Sequence, residues 1–183
     1  VRMGGKSAHR GPDVQGDYLD EGVGLCHRRM SMIDLSTAGN QPMFSEDGNL
    51  VLVFNGEIYN YLKVRKDLEK KGYEFKTKTD TEVILALYQF EGFRCLDKLF
   101  GMFAIALWDK HKQELFLARD RLGKKPLYYY HDQKHFIFAS EIKSILEIET
   151  VPKEIRHDAI YDFFVYQYVP ESKSIFKNIK KLK

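Results

Sequence analysis

The 183 residues make one ordinary domain, and 44% apolar content with 14% aromatics is enough to close a substantial core. Lysine and arginine total 29 against 26 acidic residues, and they are scattered apart from a short run in the tail, so a net charge of +3 provides no surface for nucleic acid. No stretch approaches the ~20 apolar residues of a membrane span, and the N-terminus has no charged region followed by an apolar core, so the reading is a cytoplasmic protein with no membrane partner.

Residues 22–34 alternate loosely and read as a strand, and residues 36–47, rich in Gly, Asn, Pro and Ser, as a loop. The continuous apolar run 50–54 reads as a strand buried on both faces and ends at Asn55-Gly56-Glu57. Residues 58–71 carry Ile58, Tyr61, Leu62, Arg65 and Leu68 at helical spacing and stop at Gly72. Thr79 with Glu82 forms a capping-box pattern, and Val83, Ile84, Leu87 and Phe90 behind it predict a second helix ending at Gly92.

The second half changes character. Residues 102–108, 114–119, 126–130 and 136–139 are short apolar or aromatic runs with polar turns between them, the pattern of an antiparallel meander. Residues 141–146 and 156–167 predict helices, the latter with Ile160, Phe163 and Phe164 on one side. Helices inserted between early strands and a later strand run imply an α+β sandwich: two sheets packed together with helices over the outer faces.

Asn55-Gly56-Glu57, at the end of a buried strand, is the most informative tripeptide. A glycine there lets a ligand approach the backbone, and an amide side chain beside a backbone N–H can form an oxyanion hole for acyl transfer. Asn-Gly is also a common tight-turn dipeptide, so the tripeptide alone leaves both readings open. Cys26 precedes His27, but neighbours on an extended segment point to opposite faces and cannot act as nucleophile and base. Cys26 and Cys95 have neither metal-ligand spacing nor a companion pair and read as packed thiols in a reducing compartment. Gly4-Gly5-Lys6 lacks the spacing of a phosphate loop and reads as a flexible end.

The segment from Asn55-Gly56-Glu57-Ile58-Tyr59-Asn60-Tyr61 closely resembles one found in class II glutamine amidotransferases, particularly asparagine synthetases. Further matches follow in the family's order: His9-Arg10-Gly11-Pro12-Asp13, the segment from His27-Arg28-Arg29 to Leu35, Asp80-Thr81-Glu82-Val83-Ile84, Gly101-Met102-Phe103-Ala104, Ala118-Arg119-Asp120-Arg121-Leu122-Gly123 and Ala139-Ser140-Glu141. The segment Lys125-Pro126-Leu127-Tyr128-Tyr129 is similar to asparagine synthetases more than to other amidotransferases.

The resemblance implies an N-terminal-nucleophile hydrolase fold, an αββα sandwich of two mainly antiparallel sheets covered by helices. In this family a cysteine at the mature N-terminus attacks the side-chain amide of glutamine, with its own α-amino group as the base. The resemblance gives Arg29 the α-carboxylate of glutamine, Glu57 and Asp80 its α-ammonium, and Asn55 with the Gly56 N–H the oxyanion hole. Read without it, Arg29 is equally a surface ion pair and Asp80 a helix N-terminal acid.

Against the family pattern, the chain opens at Val1-Arg2-Met3, a stretch that members reach only after the cysteine and first strand. The expectation is therefore a glutaminase domain over residues 1–167 without first strand or nucleophile, silent towards glutamine by itself, with residues 168–183 starting the junction to an absent C-terminal synthetase domain. No cofactor is expected in this chain; ATP and Mg²⁺ are implied for the absent domain, with glutamine as the ligand here and a homodimer compatible with the pattern. A loop facing that domain is expected at 119–126, where Arg119, Arg121, Lys124 and Lys125 also suit a solvated turn. Two alternatives stand beside this reading: a non-catalytic scaffold, and an amidotransferase domain serving a polysaccharide or natural-product acceptor.

Overall fold

The computed structural model describes residues 2–30, 34, 36–170 and 172–183. Its centre is the sheet β3 (Met43–Phe44), β4 (Leu50–Ile58), β5 (Gly101–Asp109) and β6 (Glu114–Arg119), in that order and antiparallel throughout. Both faces of β4 are covered, and the pleat divides its side chains between two cores. Leu50, Leu52, Phe54 and Ile58 join Phe103, Ile105 and Leu107 of β5 beneath helices α2 (Tyr61–Glu69) and α3 (Asp80–Glu91). Val51 and Val53 face the other way, with Ala106 and Trp108, and meet Leu25 and Phe138 of a second strand layer.

That second layer has two pieces: the hairpin β1 (Val14–Asp20) with β2 (Val23–Arg29), and the group β8 (Phe136–Ala139), β7 (Tyr128–His131) and β9 (Ile179–Lys181), with β7 in the middle. Outside it, α4 (Ile142–Ile145) buries Ile145 against Tyr130 and Ile179, while the short turn α1 (Arg2–Gly5) packs on α4 and β2. The layers run helix, sheet, strands, helix, as the α+β sandwich reading requires.

Several expectations need correction. The predicted meander is broken in two, because β6 pairs with β5 in the central sheet whereas β7 pairs with β8 and β9 in the second layer. The chain changes layers at residues 120–127, where the buried Asp120 carboxylate accepts the N–H groups of Phe103, Lys124 and Lys125. Arg119 donates to the carbonyls of Gly123, Lys125 and Leu182, so this arginine anchors the fold. Gly4 is no loose end: it is buried, and a Cβ there would overlap Cys26 Sγ. The capping box is half formed, with Thr79 Oγ1 accepting Glu82 N–H while the Glu82 carboxylate turns to Lys76 and Thr77 N–H at 2.8 and 2.6 Å. Helix α5 (His157–Tyr166) forms, yet Phe163 and Phe164 are 46% and 73% exposed. No helix is long and apolar enough to cross a membrane among the described residues.

Leu52 is completely buried between sheet and helices. Leu52→Ala is expected to cost about 2–5 kcal/mol from lost burial and a residual cavity, whereas Phe164→Ser should move stability by about 0.5 kcal/mol or less. Urea unfolding of the two variants beside the parent chain checks both.

Candidate active site

β3 covers β4 only at Val51 and Leu52, so the outer edge of β4 beyond them has no neighbouring strand. In an antiparallel strand alternate residues turn their N–H and C=O to the same edge, and here Phe54, Gly56 and Ile58 turn theirs away from β5. Side chains meet the outer two: Gln41 Oε1 accepts Phe54 N–H at 2.6 Å, His27 Nε2 lies 3.1 Å from Phe54 O, and Asp80 Oδ2 accepts Ile58 N–H at 3.0 Å. Between them, the Gly56 N–H meets no acceptor among the described residues. Glycine is required at 56 because a Cβ would overlap Met102 O and crowd Phe103 Cα. The strand therefore continues through Asn55-Gly56-Glu57 instead of ending there, and α2 begins only at Tyr61. Ile58 is fully buried, and anchoring it to the core and to Asp80 keeps the segment extended.

Arg29 closes β2 and is 7% exposed, which removes the surface ion pair as its role. Its Nη1 donates to Ser36 O and Asn40 Oδ1, both at 2.7 Å, and its Nη2 to Asp34 O. Gly39 lets the loop lie against it, since any Cβ at 39 would overlap the guanidinium. Three acceptors against five donors hold the fork rigidly and leave two N–H groups over among the described residues. All three acceptors are uncharged, and among the described residues the Asp34 carboxylate lies near enough to interact with the cation without forming an ion pair with it.

Asp80 is the mirror case. It opens α3 and is 5% exposed, and burial pushes its carboxyl above the usual range despite the N–H bonds it accepts and with like-charged Glu57 nearby. Asp80 is thus both the helix-terminal acid and a buried acid without a cation partner among the described residues.

Arg29, Asn55, Gly56 and Asp80 line one cavity of about 590 Å³. Glu57 is half-buried on the same face of β4 as Asn55 but is not part of the wall. Residues 24–30, spanning nearly all of β2, and residues 136–140, spanning β8, line the cavity without a break, so it meets both strands edge-on. Among the described residues those edges are unpaired: β2 bonds β1 alone, and β8 bonds β7 alone. Neither thiol is poised for attack. Burial, with Asp17 as a second cause, pushes Cys26 up to about 11, and burial pushes Cys95 up to about 12.

Sequence reasoning passed over Gln41 and His27. Gln41 sat in a segment taken for a simple loop, and His27 drew notice as the neighbour of Cys26 and the first residue of a family-matching segment, with no role of its own. The signal available was a polar residue on the same face as the apolar Leu25 two positions before it.

The whole chain, residues 1–183, matches the family model described as a glutamine amidotransferase domain. Asparagine synthetase [glutamine-hydrolyzing] 1 of Bacillus subtilis is 44% identical over 95% of this chain and 27% of its own length. Asparagine synthetase B [glutamine-hydrolyzing] of Escherichia coli is 43% identical over 80% of this chain and 26% of its own. The chain therefore spans about a quarter of these relatives. Among solved structures, glutamine phosphoribosylpyrophosphate amidotransferase from B. subtilis superposes with a TM-score of 0.58 at 26% identity, over 67% of this chain and 28% of that one.

His27 supplies a pH test of this geometry. Burial pulls its pKa from 6.5 down to about 4, so the ring is neutral at pH 7, donates from Nε2 to Phe54 O and leaves Nδ1 as a buried lone pair without a partner. The unfolded chain takes up this proton first, so the folded state loses stability as pH falls from 6.5 to about 4. At about 1.4 kcal/mol per unit the loss is on the order of 3–4 kcal/mol. Chemical denaturation across that window should show the slope in the parent chain and a flattened one in His27→Gln.

Proposed function

Because this chain belongs to the glutamine amidotransferase domain family, we propose that its cavity binds glutamine for release of the side-chain ammonia, as the glutaminase domain of an asparagine synthetase. The observation that carries this is a pair of buried charges, Arg29 and Asp80, neither held in an ion pair among the described residues, lining one cavity with Asn55 and a Gly56 N–H that meets no acceptor there. A zwitterionic amino acid supplies what each charge lacks: a carboxylate for the two remaining donors of Arg29 and an ammonium for Asp80. Glu57 lies behind Asp80 and adds negative potential there. Held at its α-end, glutamine extends its amide towards Asn55 and the Gly56 N–H, the donors suited to the oxyanion of a tetrahedral intermediate.

The nucleophile in this reading is a cysteine at the head of a strand seated between β2 and β8, where two unpaired edges face one cavity. Its thiolate bonds the amide carbon, the carbon–nitrogen bond breaks, ammonia leaves with the proton returned by the α-amino group, and water hydrolyses the thioester to glutamate. The high pKa values of Cys26 and Cys95 support a thiol from outside the described core. The ammonia is consumed by a C-terminal synthetase domain that uses ATP and Mg²⁺ to activate aspartate. The exposed apolar face of α5, with Tyr161, Phe164 and Val165, is the surface we assign to that domain. Two free thiols fit a cytoplasmic protein.

The test is glutamine hydrolysis, and asparagine formation from aspartate and ATP, by the full-length protein. Arg29→Ala and Asp80→Asn are expected to weaken glutamine binding by about 2–5 kcal/mol, the cost of leaving a buried charged partner unpaired. Asn55→Ala should lower kcat by roughly 10²–10³. Hydrolysis that survives all three substitutions would remove this cavity from the reaction.

A further inference from the structure

The oxyanion donor assigned to Gly56 is a backbone N–H, so its aim depends on whatever holds β4 at that point. We infer that Gln41 and His27 are positioning residues for the acyl-transfer step, clamping Phe54 by its N–H and C=O so that the Gly56 N–H is left open to the cavity. The inference rests on the glutaminase reading above and extends it to two residues that touch neither substrate nor nucleophile.

A neighbouring strand along this edge would satisfy Phe54, Gly56 and Ile58 alike, because ladder bonds recur at every second residue. Such a strand would consume the Gly56 N–H. Here β3 stops short and side chains take over, which permits selection: Gln41 and His27 serve Phe54, Asp80 serves Ile58, and residue 56 is passed over. The caps Gln41 and Asp80 meet at one helix end. Gln41 is 8% exposed, and its Nε2 lies 3.4 Å from Thr81 Oγ1, next to Asp80 at the start of α3. Its backbone is pinned as well, since a Cβ on Gly16 of β1 would overlap Gln41 O. His27 approaches from β2, so the layer that borders the cavity also fixes the strand that lines it. Phe54 O can only accept, so the neutral ring must donate from Nε2.

The experiment compares Gln41→Met, which removes the acceptor, with Gln41→Glu, which keeps an acceptor oxygen, in the full-length protein. Gln41→Met is expected to lower kcat for glutamine hydrolysis by roughly 10- to 100-fold, the scale of a misplaced catalytic group, with KM within about threefold of the parent. Gln41→Glu should recover most of the kcat. A kcat unchanged in Gln41→Met, or a KM that rises as far as kcat falls, overturns the clamp. If the parent protein hydrolyses no glutamine, the functional reading fails separately, and amide exchange decides about the clamp: the Phe54 N–H should exchange at least about tenfold faster in Gln41→Met with a shifted Gly56 resonance, and unchanged exchange and resonance overturn it. His27→Gln carries the same readouts should Gln41→Met not fold.

Discussion

Where β3 ends, β4 carries on for six residues past the last one that β3 covers, and three side chains take the place of the missing neighbour. A buried N–H or C=O left bare is costly, so an edge inside the molecule must be met by something. Using Gln41, His27 and Asp80 for this purpose ties β2, the loop before β3 and the start of α3 to one short stretch of backbone. The position of the cavity, the openness of the Gly56 N–H and the burial of Asp80 all follow from that choice. A longer β3 would make a more regular sheet and leave no site.

The same economy of partners governs the charges. Arg29 is held by uncharged oxygens and Asp80 by backbone N–H groups, so each is fixed in place by hydrogen bonds to uncharged groups. Taking either out of water works against folding, and the raised proton affinity of Asp80 expresses that cost directly. The two-sided core around β4 and β5 offsets it. Active sites hold groups in states that stability alone would not select, and here the unsatisfied groups are a cation, an anion and an N–H on one wall.

Much of this was legible in the sequence, and the failures have physical causes. The apolar run at 50–54, the Thr79 cap and the helical spacing behind Glu82 are local signals, and each produced its element. Asn-Gly was taken for the end of a strand because the dipeptide favours turns, whereas tertiary bonds to Asp80 and the burial of Ile58 keep it extended. The meander failed at 120–127, since nothing in four alternating runs reveals that Asp120 turns the chain into another layer. β1 went unread because its polar residues belong to a hairpin with an exposed face. The roles of Gln41 and His27 were hidden for a deeper reason: their partners are backbone atoms of Phe54, which the pattern of side chains does not identify. Glu57 was placed at the site by resemblance, and it stands on the correct face of β4 but behind the wall.

The central claim is that one cavity reads both ends of an amino-acid zwitterion, and it is tested most directly from the ligand's side. Titration calorimetry would compare glutamine with 4-aminobutanamide, which lacks the α-carboxylate, and with 4-carbamoylbutanoate, which lacks the α-ammonium. The account predicts that each analogue binds at least about 30-fold more weakly than glutamine, the lower bound for stranding a buried charge. It also predicts that Arg29→Ala abolishes discrimination against the first analogue only, and Asp80→Asn against the second only. Equal affinity for glutamine and both analogues in the parent protein would contradict it.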